Sequence, residues 1–112
     1  MNTFLTTIFE TDIIKFCERW SICEFLLFGS VLRDDFGPDS DVDILVSFKA
    51  ETDWGLLDHI RMKQELKSLF HRNVDLITKR SLEQSSNWLL RREILKTVRV
   101  LFSEGETTYA AR

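Results

Sequence analysis

The chain has 112 residues, enough for one small domain, and 44% of them are hydrophobic, which can form a modest core. A formal net charge of -3 argues against non-specific nucleic-acid binding, which needs a basic surface. No apolar stretch reaches the roughly 18 residues of a membrane span, and no signal peptide is recognisable. We therefore expect one cytoplasmic domain over residues 1–112, without membrane or direct nucleic-acid binding, and with Cys17 and Cys23 as reduced thiols.

The first half of the chain predicts one helix followed by two strands. The helix is indicated by apolar residues at amphipathic spacing: Ile13, Phe16, Cys17 and Trp20. The run Phe25–Phe28 is a strand too apolar for either face to be exposed, and Val42–Phe48 predicts a second strand. Between them we expect a short helix at about 30–33 and a turn at the Gly-Pro pair.

The second half predicts a long helix over Leu56–Phe70 and a third strand over Asn73–Thr78. The inward positions of that helix are expected to be Leu56, Ile60, Leu66, Leu69 and Phe70. A polar connection or first helical turn over 79–87, a helix over 88–96, an edge strand over 98–102 and a mobile tail over 103–112 complete the prediction. The expected fold is α/β (α+β), a small mixed sheet of about four strands flanked by helices, with its core at about 11–102.

Two carboxylates lie at the start of the second predicted strand. Asp41 and Asp43 share one face of it because successive side chains alternate, and Val42 and Ile44 take the other face. Neighbouring carboxylates raise each other's pKa. A hard divalent cation such as Mg2+ relieves that repulsion because it prefers oxygen ligands, so the pair predicts a site for one or two ions.

The chain turns through Gly29-Ser30, and ten residues separate this corner from Asp41. Gly29 lets the backbone approach a ligand closely. Ser30 can donate to a phosphate oxygen or cap a short helix. Arg33, one turn later, can pair with a phosphate through its fork of donors.

A third acid, Asp75, lies between Val74 and Leu76 in the third predicted strand. An aspartate there is unfavourable unless it has a partner. If this strand lies beside the second, Asp75 faces the same way as Asp41 and Asp43. An acid that caps a turn at the strand end is the alternative reading.

The pattern Gly-Ser, ten residues, Asp-x-Asp, with an apolar run on each side, resembles the polymerase-beta-like nucleotidyltransferases. It is most similar to their single-domain members, the minimal nucleotidyltransferase (MNT) antitoxins, over residues 11–102. The resemblance implies a nucleotidyltransferase fold, ATP as donor, and Mg2+ held by Asp41, Asp43 and Asp75. It further implies that Gly29 and Ser30 hold the terminal phosphates with help from Arg33.

The same resemblance implies a partner, a HEPN-domain RNase toxin that is adenylylated on a tyrosine hydroxyl. Asp75 would then lie nearest the acceptor, as metal ligand, proton acceptor or both. Two other functions stay open: an antitoxin that neutralises its toxin by binding alone, and a stand-alone transferase acting on a small-molecule hydroxyl. Three clustered acids favour an enzyme, because a binding module does not need them.

Overall fold

The computed structural model describes residues 8, 10–33, 36–37, 39–84, 92 and 98–104. Its strands are β1 (Ile22–Phe28), β2 (Val42–Phe48), β3 (Val74–Thr78) and β4 (Val98–Ser103). Its helices are α1 (Glu10–Arg19), α2 (Leu56–Phe70) and α3 (Lys79–Gln84). A 3-10 turn at Gly29–Leu32 follows β1.

The strands form one mixed sheet in the order β3-β2-β1-β4. β1 runs antiparallel to β2 and β4, whereas β2 and β3 are parallel and are joined through α2. This confirms the predicted four-strand mixed sheet, and β4 lies at an edge of the described sheet as expected. Because of these directions, β1 ends at the same end of the sheet where β2 and β3 begin.

The two faces of the sheet are covered unequally. On one face α1 and α2 bury the larger core, whose members include Phe16, Cys17, Phe25, Ile44 and Leu66. On the other face α3 contributes to a smaller cluster, which consists of Leu26, Phe28, Leu45 and Leu82 with Ile77 and Val98 against it. Among the described residues, the second face therefore carries the smaller of the two apolar clusters.

The inward face of α2 differs from the expectation. The buried residues are Met62, Leu66 and Phe70 at four-residue spacing, whereas Leu56 is 76% exposed and Ile60 is 41% exposed. Ile60 precedes Met62 by two residues, which places it about 200° away around the helix axis. The prediction of Leu56 and Ile60 as inward residues was therefore wrong, because only one stripe of the helix can face the sheet.

Several element ends also differ from the prediction. β1 begins at Ile22, three residues before the expected start, and β4 extends to Ser103, which was assigned to the tail. α3 begins directly at Lys79. The helix predicted over 88–96, apart from residue 92, and the tail beyond residue 104 lie outside the described residues.

The two cysteines differ in their surroundings, although neither forms a disulfide. Cys17 is fully buried, and burial raises the pKa of its thiol to about 12. Cys23 is only half-buried, on β1. None of the described helices combines the length and apolar character needed to cross a bilayer.

Candidate active site

Parallel pairing of β2 and β3 brings two acids side by side. Asp43 is the register partner of Asp75, and Val42 is the partner of Val74. Both valines are buried in the core, so alternation turns both aspartates to the opposite face. Asp41, just before β2, is exposed on the same side. The third strand thus lies beside the second, as the predicted placement of Asp75 required.

Asp43 occupies the least favourable position for a charge among these acids. Its pKa is raised first by burial, then by the negative charges of Asp75 and Asp41. A backbone N–H of Ser30 and the charge of Arg33 act in the opposite direction and lower the pKa. The carboxyl group of Asp43 is thus stabilised by added positive charge, from a proton or from a bound cation.

Gly29 lies against this acid. Its backbone has a φ of +74°, and an added β-carbon would collide with Oδ2 of Asp43 and lie 3.4 Å from its Cγ. The strand register explains the approach, because Phe28 pairs with Asp43 at the end of β1. A glycine is therefore required here both for conformation and for space.

Ser30 contacts both Asp41 and Asp43 at the start of β2. Its hydroxyl donates to the backbone carbonyl of Asp41 over 3.3 Å, and its N–H donates to the carboxylate of Asp43. It does not cap the short helix, contrary to one expectation: the cap position is Phe28, and no side chain caps the turn. The hydroxyl bonds across to β2 because the 3-10 turn lies beside the start of that strand.

The exposed Arg33 ends the 3-10 turn, with its N–H donating to the carbonyl of Ser30 over 3.0 Å. Its charge is close enough to act on the pKa of Asp43. Of the residues predicted for the site, the structure gathers Gly29, Ser30, Asp41, Asp43 and Asp75 at one end of the sheet, with Arg33 at the end of the turn. Phosphate binding by Gly29, Ser30 and Arg33 stays a prediction.

The donor set suits a hard cation, because Mg2+ prefers carboxylate oxygens and keeps some of its water. Within the described ranges, no three acidic, histidine or cysteine side chains already converge as a ready ligand set. Asp41 and Asp75 are both exposed, so their side chains can rotate toward an ion. The residues therefore fit the predicted Mg2+, because they offer carboxylate oxygens and two of them are exposed. Coordination requires their side chains to reorient.

Sequence reasoning missed Arg72, which fastens the turn before Asp41. Its Nη1 donates to the carbonyl of Gly37 and, over 3.5 Å, to that of Ser40. Its guanidinium also lies 4.3 Å from the centre of the Phe36 ring. No local pattern could reveal this role, because the contacts join segments more than thirty residues apart in the chain.

Two lysines of α2 were also missed. Lys63 and Lys67 are exposed polar residues of that helix. In the structure they line a cavity of about 400 Å³ together with Asp41 and Asp75. The available signal was their spacing of four residues on α2, which places them on one side of the helix.

Comparisons with known proteins agree with this geometry. The family model for the nucleotidyltransferase domain matches residues 13–101. The protein adenylyltransferase MntA of Thermococcus cleftensis is 38% identical over 78 residues, which are 70% of this chain and 77% of that protein.

Two solved structures extend the comparison. One, provisionally assigned as a minimal nucleotidyltransferase, is 31% identical with a TM-score of 0.61, covering 80% of this chain and 86% of that one. The other is a complex of tri-AMPylated Shewanella oneidensis HEPN toxin with an MNT antitoxin, with a TM-score of 0.58 and 24% identity, covering 84% of this chain and 69% of that one. At that identity the second likeness shows a shared fold alone.

Proposed function

Because this chain belongs to the nucleotidyltransferase domain family, we propose that it is an antitoxin that transfers AMP from ATP to a tyrosine hydroxyl of a HEPN-type RNase toxin. The observation that carries the proposal is the pairing of Asp43 with Asp75 beside the Gly29-Ser30 corner. The choice of AMP and of a HEPN toxin is supported by the similar protein adenylyltransferase and by the similar HEPN–MNT complex.

Asp41, Asp43 and Asp75 would hold one or two Mg2+ ions. When bound, Mg2+ neutralises phosphate charge and polarises the phosphoryl group under attack. The raised pKa of Asp43 supports this assignment, because a carboxylate that resists ionisation gains from a nearby cation.

At the donor end, Gly29 has no side chain, so the triphosphate can approach the backbone closely. Ser30 holds Asp41 and Asp43 in place relative to the 3-10 turn. Arg33 adds a cation at the same end. These residues orient the donor so that its α-phosphorus faces the acids.

At the acceptor end, the exposed Asp75 is accessible to a hydroxyl on a partner. In our mechanism Asp75 accepts the proton of the phenol while the phenolic oxygen forms a bond to the α-phosphorus. The bond from that phosphorus to the bridging oxygen breaks, and pyrophosphate leaves with the electron pair. A phenol suits this step, because its pKa of about 10 lies below that of an aliphatic alcohol.

The modification explains neutralisation of an RNase. It adds a negative phosphodiester and a bulky adenosine to the toxin. Near an RNA-binding surface, this charge would repel RNA phosphates and the base would block access. Binding of the antitoxin alone is the competing explanation.

The partner has an available surface on this chain. Trp54, Leu56, Leu57 and Ile60 are exposed around the first turns of α2, with Leu56 and Leu57 at 76% and 69%. Neighbouring exposed apolar side chains mark protein contact sites, and we assign this patch to the toxin.

Labelled ATP tests the proposal. Toxin incubated with this protein, Mg2+ and ATP should acquire label from the α-phosphate position and none from the γ-position. Asp41→Asn should abolish the transfer. Label from the γ-position would instead indicate phosphoryl transfer, and a neutralised toxin without label would support the binding explanation.

A further inference from the structure

The cavity beside the acids has a basic wall that the proposed mechanism does not use. Its volume is about 400 Å³, and it is lined by Asp41, Lys63, Lys67, Asn73, Val74 and Asp75. A wider depression of about 820 Å³ continues from Lys67 and Asn73 toward Arg72. Together they form a groove that leads away from the acids along the end of α2.

Lys63 and Lys67 are both exposed and are four residues apart on α2, so their side chains project from the same side of the helix. Neither has an ion-pair partner within the part of the chain that the structure describes. By contrast, Lys49 pairs with Glu104 at 3.0 Å. Two ammonium groups that have no ion-pair partner among the described residues thus line the same cavity as two carboxylates, and its volume of about 400 Å³ leaves room for an anion.

The groove shares two acids with the candidate active site. Its lining includes Asp41 and Asp75 but none of Gly29, Ser30 or Arg33, which belong to the donor end. We propose that Lys63 and Lys67 form an anion subsite for the acceptor, which binds an oxyanion adjacent to the hydroxyl that is modified. A phosphodiester of an adenylyl group already attached, or a carboxylate next to the acceptor residue, supplies this chemistry. Lysine suits it as a point charge for phosphate and carboxylate oxygens.

The acceptor in this inference rests on the proposed function. The two lysines are positioning residues: they offset the repulsion that Asp41 and Asp75 exert on an anionic acceptor, and they take no part in bond making. Their loss should raise the KM for the acceptor and leave kcat and the affinity for ATP unchanged.

Binding of two probe pairs tests the subsite without catalysis. Calorimetry in the presence of Mg2+ compares the dinucleotide ApA with adenosine, and a glutamate-flanked tyrosine peptide with its glutamine counterpart. We expect wild-type protein to bind at least one anionic probe about tenfold more tightly than its neutral counterpart. The pair that shows the difference identifies the source of the oxyanion.

The double variant Lys63→Ala/Lys67→Ala should lose this preference. The matched control is Lys15→Ala/Arg61→Ala, which removes the same charge from exposed positions on α1 and α2. The subsite is contradicted if wild-type protein prefers neither anion, if the lysine variant keeps the preference, or if the control loses it equally.

Transfer kinetics separate this inference from the proposed function. A wild-type protein that modifies no toxin contradicts the proposed function, and the binding result still decides the subsite. A wild-type protein that modifies toxin while both double variants show the same acceptor KM contradicts the subsite alone.

Discussion

Gly29 and Asp43 fit together only because Gly29 has no side chain: a β-carbon there would collide with Oδ2 of the aspartate. The same glycine has a φ of +74°, a conformation that other residues adopt at a cost. Gly29 and Asp43 are thus in close contact, and a substitution that displaces one of them should displace the other.

Gly29→Ala should therefore reduce both stability and nucleotide binding. We expect a loss of about 1–3 kcal/mol in the free energy of unfolding, from backbone strain and overpacking. Urea unfolding and calorimetric binding of AMP-PNP with Mg2+ measure the two effects. Gly55→Ala is the matched control, because its β-carbon would lie 3.9 Å from Oδ2 of Asp58, an ordinary van der Waals contact, and its φ is -91°. Equal nucleotide affinity in both variants would contradict the assignment.

Asp43→Asn should stabilise the metal-free protein at neutral pH. The pKa of Asp43 is raised in the fold above its ordinary value of about 3.9, so the folded state keeps a proton that the unfolded chain has released. The wild-type protein therefore loses stability as pH rises from the pKa of Asp43 in the unfolded chain through its raised pKa in the fold. Asparagine removes that loss. The gain should shrink as pH falls toward about 4.

Urea unfolding of the metal-free protein between neutral and acidic pH measures this effect. Asp53→Asn, at an exposed position between β2 and α2, is the control and should show no such trend. A variant Asp43→Asn that is less stable than wild type at neutral pH would show that the carboxylate is favourable in the absence of metal.

The sequence allowed some of this site to be predicted, for identifiable reasons. Asp41 and Asp43 could be placed on one face because alternation along a strand is a local property. Asp75 joins them only because β3 pairs with β2, which the sequence allowed as a condition and could not establish. The inward residues of α2 could not be chosen correctly, because Leu56 and Ile60 are as apolar as the stripe that packs. Helix capping was one of two roles that the sequence left open for Ser30, and its observed bond to Asp41 joins residues eleven positions apart.

Arg72 shows a related limit. Its contacts with Phe36, Gly37 and Ser40 exist only after the end of α2 has packed beside that turn. No spacing of residues in the sequence predicts such an interaction. Lys63 and Lys67 were missed for a different reason: their spacing places them on one side of α2, but a polar helix face is ordinarily solvated.

Arg72→Lys should lower the rate of AMP transfer more than it lowers nucleotide affinity. Lysine keeps the charge but loses the planar fork that contacts Gly37 and lies near the Phe36 ring. Asp41 would then be held less firmly, and we expect kcat to fall about tenfold or more. Arg61→Lys, at an exposed position on α2, is the control and should behave as wild type. An unchanged kcat in Arg72→Lys would show that the turn needs no such support.

Leu57→Asp should weaken toxin binding selectively. The side chain is 69% exposed, so the free energy of unfolding should change by no more than about 0.5 kcal/mol. Loss of apolar contact should lower affinity for the toxin roughly tenfold, with AMP-PNP binding unchanged. Ala50→Asp adds the same charge at another exposed position and serves as the control. Equal toxin affinity in the two variants would place the interface elsewhere.

The intact mass of the toxin tests the central claim most directly. After incubation with this protein, ATP and Mg2+, we expect toxin heavier by one or more AMP units, mapped to tyrosine. Asp75→Asn, altered at an exposed position, should still bind the toxin and should leave its mass unchanged. Toxin that is fully neutralised by the wild-type protein without any gain in mass would contradict the account.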